Sequence, residues 1–305
     1  MNNKLKYAYY PGCSAHSTAR DMHESSTAVA RVLGIELEEV KGWSCCGASA
    51  AHQTNRLLGV SLPAANLLLA RDMGFDMVVN CAACYNRMKM ANHEVASSTQ
   101  IRDQVGEIIG QVYGGSVPVR HFVEILIEDF GIERLRKSLK KTLNGLKVAS
   151  YYGCFLVRPH NVTQFDDPEN PVFLDNIVTA LGGESIDWPH KVECCGGGLN
   201  LTRTDIVVKL SSAIADLALK SGANCITVAC PMCQASLDLR QKDIERETGK
   251  HYNLPVLYFT QLIGLCLDIP KKELGLNRLM VEPTELVQRI NSSSDQIKSL
   301  TGANR

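Results

Sequence analysis

Short apolar runs rich in aromatic and β-branched residues alternate along this chain with longer stretches whose apolar positions recur every three or four residues. The first run, Lys6-Tyr-Ala-Tyr-Tyr-Pro-Gly-Cys13, predicts a strand that ends in a turn. Residues 21–33 carry helical spacing with Gly34 as a stop, and 35–40 predict a second short strand. An amphipathic helix is expected over 60–73, closed by Gly74, followed at once by a buried strand over 76–81. The series ends on Val117-Pro-Val-Arg-His-Phe-Val-Glu-Ile-Leu.

The same order then repeats. Lys147-Val-Ala-Ser-Tyr-Tyr-Gly-Cys154 matches the opening run, and 184–188 predict the short strand. Residues 204–220 predict the helix closed by Gly222, and 224–230 the buried strand. Leu254-Pro-Val-Leu-Tyr-Phe-Thr-Gln-Leu-Ile matches the end. A repeat of this extent means a duplicated unit. Strands alternating with helices predict an α/β fold: two similar, pseudo-symmetric α/β domains with mostly parallel sheets and helices on their faces. The expected division is a first domain over 1–128, a charged connector over 129–146, a second domain over 147–280 and a tail over 281–305. That tail is read as a peripheral helix with frayed ends.

The chain's 305 residues, 45% hydrophobic and 21% charged, suffice for two substantial cores. Lys+Arg and Asp+Glu both total 32, so no basic excess points to nucleic acid or an anionic surface. The start, MNNKLKYAYYPGC, has no secretory apolar stretch. The longest apolar run, 254–267, is interrupted by polar residues and too short to span a bilayer. A cytoplasmic location, where thiols stay reduced, is the expectation.

Ten of the twelve cysteines sit at matching places in the repeat. The first set is Cys13, Cys45-Cys46-Gly47 and Cys81-Ala-Ala-Cys84; the second is Cys154, Cys194-Cys195-Gly196 and Cys230-Pro-Met-Cys233. In both sets 34 residues separate the Cys pair from the Cys-x-x-Cys. On the predicted fold they gather at the carboxyl ends of strands, where open α/β sheets place ligands. Adjacent cysteines make a poor disulfide framework, whereas thiolates are the usual ligands of iron–sulfur clusters and zinc. A Cys-x-x-Cys at a strand-to-helix turn aims two sulfurs at one centre, and the free N–H groups there favour thiolate. A tetrahedral zinc takes four ligands, so five is one too many. Neighbouring cysteines reach different irons of a cluster more easily than one ion. Clusters are favoured, with zinc in one site as the alternative.

The doubled pattern resembles the family of proteins with paired Cys-Cys-Gly domains, and within it the B-type subunit of heterodisulfide reductase. The resemblance covers about residues 5–270, including both Gly-Cys entries, all ten cysteines and the Pro-Val-x-x-Phe ends. It implies that Cys13, Cys45, Cys46, Cys81 and Cys84 hold one non-cubane 4Fe–4S cluster. Cys154, Cys194, Cys195, Cys230 and Cys233 would hold a second. The pair would reduce a disulfide between two small thiols, or run in reverse, in one shared cavity. The chain lacks the Cys-x-x-Cys-x-x-Cys run of a cubane ferredoxin, a Gly-x-Gly-x-x-Gly and a phosphate loop. The partners implied by the resemblance are therefore the ferredoxin-like C-type subunit and the flavoprotein A-type subunit of such a complex. Two other readings stand beside this one: an electron-transfer subunit of a sulfur-oxidising or succinate dehydrogenase-type complex, and a zinc-stabilised scaffold without catalysis.

Outside the ten cysteines the candidates are fewer. His52 follows the first Cys pair and is the candidate proton donor to a departing thiolate. His16 and His160 follow the lone cysteines and are expected at a cavity edge or on the surface. His121, matched by Tyr258, reads as packing, as do Cys225 and Cys266. Trp43 and Trp188 are expected to shield the metal sites. Gly196-Gly-Gly198 reads either as N–H donors to sulfur or as a flexible lead-in.

Overall fold

The runs predicted as buried strands form the middle of two parallel sheets. The computed structural model describes residues 5–48 and 51–293. In the first half β1 (Lys6–Tyr10), β2 (Glu36–Glu39), β3 (Met77–Val79) and β4 (Val119–His121) lie in the order β2-β1-β3-β4. In the second half β5 (Lys147–Tyr151), β6 (Glu184–Ser185), β7 (Cys225–Val228) and β8 (Val256–Tyr258) repeat it as β6-β5-β7-β8. Every pairing is parallel, with Tyr10 opposite Val79 and Tyr151 opposite Val228. The α/β expectation and the duplication are both what the structure shows. Tyr7–Tyr10 and all of β7 are buried, as central strands with helices on both faces require. Each chain half crosses from one side of its first strand to the other, so a topological switch point lies between β1 and β3 and between β5 and β7.

Local chemistry sets the element ends. The helix expected over 60–73 begins earlier, as Arg56–Met73, because the Asn55 side chain accepts from the Leu58 N–H and caps it. Gly34 and Gly74 close their helices with left-handed backbone at φ 73°. The strand expected over 184–188 shrinks to Glu184–Ser185. Trp188 turns inward instead, donating its indole N–H to the Ser150 carbonyl at 3.1 Å, and Pro189 has no N–H to offer a ladder.

Two helix contacts flank the seam between the halves. The Arg20–Leu33 helix packs against Phe259–Cys266, with Ser25 and Thr260 hydroxyls 2.7 Å apart. On the other side the Ala82–Ser97 helix lies on residues 154–163: Tyr85 donates to the Thr163 carbonyl, and the Asn86 amide donates to the Phe155 and Arg158 carbonyls. The tail begins as the expected helix, Thr284–Ser292, but it is anchored, with Leu286, Val287 and Ile290 buried and Ser293 bonded to Thr142. The fraying expected at 294–305 lies outside the described residues.

The first docking contact leaves no room at Gly275. Its φ is +64°, and a Cβ there would lie 2.6 Å from the Asp21 Cβ and 2.7 Å from the Asp21 Cα. Gly275→Ala is expected to destabilise the protein by about 1–3 kcal/mol. Urea unfolding would show this as a lower midpoint at unchanged slope; an unchanged midpoint would refute the close approach.

Candidate functional site

Each set of five cysteines lies at the carboxyl ends of three strands. Cys13 follows β1, Cys45 and Cys46 follow β2, and Cys81 and Cys84 follow β3. Cys154 follows β5, Cys194 and Cys195 follow β6, and Cys230 and Cys233 follow β7. The glycine before each lone cysteine is required by space. A Cβ at Gly12 would stand 3.3 Å from the Cys84 sulfur, and one at Gly153 would stand 3.0 Å from the Cys233 sulfur. Both glycines also hold positive φ, +78° and +67°. A tyrosine ties each Cys-Cys-Gly loop to its strand: Tyr10 donates to the Ser44 carbonyl at 2.7 Å and Tyr151 to the Glu193 carbonyl at 2.6 Å.

The sulfurs form rows rather than shells around a point. Cys46 Sγ lies 3.1 Å from Cys84 Sγ, and Cys195 Sγ lies 3.6 Å from Cys233 Sγ. Across the contact between the halves Cys81 and Cys230 face each other closely enough that each shifts the other's proton affinity, Cys81 up and Cys230 down, and the Ala82 N–H donates to the Ala229 carbonyl at 3.3 Å. Backbone N–H groups point at the sulfurs: Gly47 at Cys45, Gly196 at Cys194, Gly197 at Cys195 and Ala83 at Cys230. The glycine run after Cys195 therefore supplies donors to sulfur.

These contacts set the proton affinities. A hydrogen bond from Cys154 holds the Cys194 thiol down at about 6, helped by the Gly196 N–H. Hydrogen bonds from Cys45 and Cys84 hold Cys46 well below the usual thiol range. Cys225 and Cys266 behave as the packing residues expected of them, fully buried, with burial pushing Cys225 up to about 12.

A cavity of about 210 Å³ opens on the second set. All five of its cysteines line it, with Phe155, Leu199, Leu210 and Met232 as apolar walls. The first half contributes Ala48, His52, Gln53 and Ala82. Among the described residues no cysteine of the first set lines this cavity, so the first half meets it through those four residues. Cys46, Cys81 and Cys84 are buried where the Ala82–Ser97 helix docks, while Cys13 and Cys45 are exposed.

His52 thus reaches the cavity, its Nδ1 3.3 Å from the Gly47 carbonyl. His16 and His160 are exposed and do not line it. His121 is buried with Nε2 2.9 Å from the Asn80 carbonyl, a packing role as expected. Neither tryptophan lines the cavity. Trp43 stacks on His16 and donates to Glu39, and Trp188 packs on Tyr151. Tyr10 and Tyr151 were not among the candidates, although both stand three residues before a lone cysteine.

The donor set is sulfur throughout. Among the described residues no three His, Cys, Asp or Glu groups converge as they would on a single ion. Thiols in rows, braced by N–H donors, suit a multi-iron sulfur cluster better than one tetrahedral metal.

Comparison with known proteins agrees. A family model described as a cysteine-rich domain matches residues 7–89 and again 148–238. The 8-methylmenaquinol:fumarate reductase membrane anchor subunit of Wolinella succinogenes is 35% identical over 92% of this chain and 99% of its own length. The B-type subunit of the ferredoxin:CoB-CoM heterodisulfide reductase of Methanosarcina mazei is 30% identical over 93% of this chain and 97% of its own length. A protein of Archaeoglobus profundus described as like that B-type subunit is 31% identical over 94% and 98%. The crystal structure of a hypothetical protein from Helicobacter pylori shares the fold, at a TM-score of 0.72 and 12% identity. This chain spans 53% of that one's length.

The low Cys194 value is testable in metal-free protein. Alkylation of Cys194 is expected to reach half its maximal rate near pH 6. In Cys154→Ala, which removes the donor, the midpoint moves up toward the ordinary thiol value of about 8.5. Peptide mapping across a pH series checks this, and an unmoved midpoint would contradict the assigned cause.

Proposed function

The chain belongs to the family of paired cysteine-rich domains that includes the B-type subunit of heterodisulfide reductase, and we propose that it is the disulfide-reducing iron–sulfur subunit of such a complex, able to run in reverse. The observation that carries this reading is the meeting of two complete five-thiol sets at Cys81 and Cys230, with a cavity opening on the second. Cys13, Cys45, Cys46, Cys81 and Cys84 would hold one 4Fe–4S cluster, and Cys154, Cys194, Cys195, Cys230 and Cys233 the other. The adjacent cysteines favour the non-cubane type. Bound there, the two clusters would supply the two electrons that cleaving a sulfur–sulfur bond requires.

The chain's own residues account for the rest. Phe155, Leu199, Leu210 and Met232 exclude water from the cavity and hold a small disulfide against the second set. Splitting it needs two electrons and two protons and gives two thiols. His52, at the cavity wall, gives one proton to one departing thiolate, and the second thiolate takes its proton from solvent as it leaves the cavity. The N–H groups of Gly196, Gly197 and Ala83 hold negative charge on the sulfurs. With no dinucleotide motif in the chain, electrons come from a ferredoxin-like partner subunit and ultimately from a flavoprotein one.

The Wolinella relative favours a second reading, an electron-transfer subunit of a fumarate reductase or succinate dehydrogenase-type complex. Among the described residues no helix is long and apolar enough to cross a membrane.

Anaerobic reconstitution is expected to give brown protein with about eight irons per chain. Cys46→Ser and Cys195→Ser should each remove roughly half of that iron and abolish reduction of small disulfides by reduced viologen. Colourless, zinc-loaded protein would overturn the proposal, as would normal turnover by a variant lacking one cluster. A loaded protein that reduces no disulfide but passes electrons from a quinol supports the second reading.

A further inference from the structure

The two sets of cysteines match position for position, but the charges around them do not. Alignment on the cysteines sets Ser44 against Glu193, each just before its Cys pair, and Arg87 against Ser236, each three residues after the last cysteine. Arg87 therefore lies one helical turn beyond Cys84 on the Ala82–Ser97 helix.

A proline holds the guanidinium there. Pro63, inside the Arg56–Met73 helix, has no N–H for the Gly59 carbonyl four residues earlier. Arg87 Nη2 donates to that carbonyl instead, at 2.9 Å. The Nε of the same group is buried with no hydrogen-bond partner in the protein. Its charge acts on the Cys46 sulfur, itself 3.1 Å from the Cys84 sulfur.

The second half has none of this. Ser212 and Val208 stand at the places of Pro63 and Gly59. Ser236 is a neutral hydroxyl that donates to the Met232 carbonyl, accepts from the Asn200 amide and lowers the proton affinity of Cys195, but it brings no charge to the site. The charge that acts on Cys194 is the Glu193 carboxylate.

We infer that Arg87 makes the first five-cysteine site the higher-potential member of the pair, so that a single electron entering the chain rests there and not at the cavity. A cation beside a redox site stabilises its reduced, more negative state, and a carboxylate does the opposite. Both differences between the copies act in the same sense. The cavity-facing site is then reduced only when the first already holds an electron, and a disulfide in the cavity meets two electrons together. This rests on the cluster-bearing reading above.

The test is an EPR-monitored reductive titration of the anaerobically loaded protein, with iron content measured first. Wild type should titrate in two separate one-electron steps, the upper one missing in Cys46→Ser. Arg87→Gln should lower the upper step by at least a tenfold change in the reduced-to-oxidised ratio, about 59 mV, while Arg87→Lys keeps it near wild type. Glu193→Gln, at an exposed position, should raise the lower step by a smaller amount and remains informative if Arg87→Gln loads poorly. An upper step that survives in Cys46→Ser overturns the inference. So does an upper step unmoved by Arg87→Gln, or, where that variant does not load, a lower step unmoved by Glu193→Gln. Protein that takes up no iron would sink the cluster reading itself, a distinguishable failure.

Discussion

The structure depends on one contact, the abutment of two strand-to-helix turns at Cys81 and Cys230. Each turn ends a central buried strand and begins a helix, so it presents free N–H groups and sulfur together. Neither turn is complete alone. The Ala83 N–H reaches Cys230 from the other half, and the Ala82 N–H is satisfied by Ala229. Both donors belong to the Cys81 turn, and a buried donor without a partner costs about 1–3 kcal/mol, so the halves can close here only with these cross-contacts made. The outer contacts, Ser25 with Thr260 and Asn86 with residues 155 and 158, hold these two turns in register.

Much of this was legible in the sequence because duplication wrote it twice. The ten cysteines, the alternation of strand and helix and the glycine stops recur in the same order, the 34-residue step from Cys pair to Cys-x-x-Cys without change, and a parallel sheet follows from that alternation. The tyrosine tethers were legible too, since Tyr10 and Tyr151 share an offset from their lone cysteines, but tyrosine in an apolar strand reads first as core. The strand at 184–188 failed for a local reason: Trp188 found a buried carbonyl, and a two-residue edge sufficed for β6.

The division of the cavity was not legible. Sequence periodicity places residues at strand ends, but it cannot say which loops cover them. Cys46 and Cys84 are buried against each other and Cys81 against the turn at 229–230, the last a contact between segments about 150 residues apart in sequence. Arg87 escaped notice for a related reason. Its position depends on a carbonyl freed by Pro63, and a proline near a helix start normally reads as punctuation rather than as the maker of an acceptor.

Duplication by itself would yield two equal sites, and equal sites share a single electron evenly between them. Divergence has altered the residues around the cysteines while keeping the cysteines. Tyr9, which bonds His23 and Asn80, is replaced by Ser150, whose hydroxyl has no partner in the protein. His121, held against the Asn80 carbonyl, is replaced by Tyr258, whose hydroxyl is likewise buried without a partner. These core positions tolerate the change because the sheet and its five sulfurs are fixed by backbone geometry that both halves share: glycine before the lone cysteine, tyrosine to the loop, N–H to sulfur. A scaffold that fixes the metal ligands through the backbone leaves side chains free to make the two sites different, and a two-electron reaction fed one electron at a time needs them different.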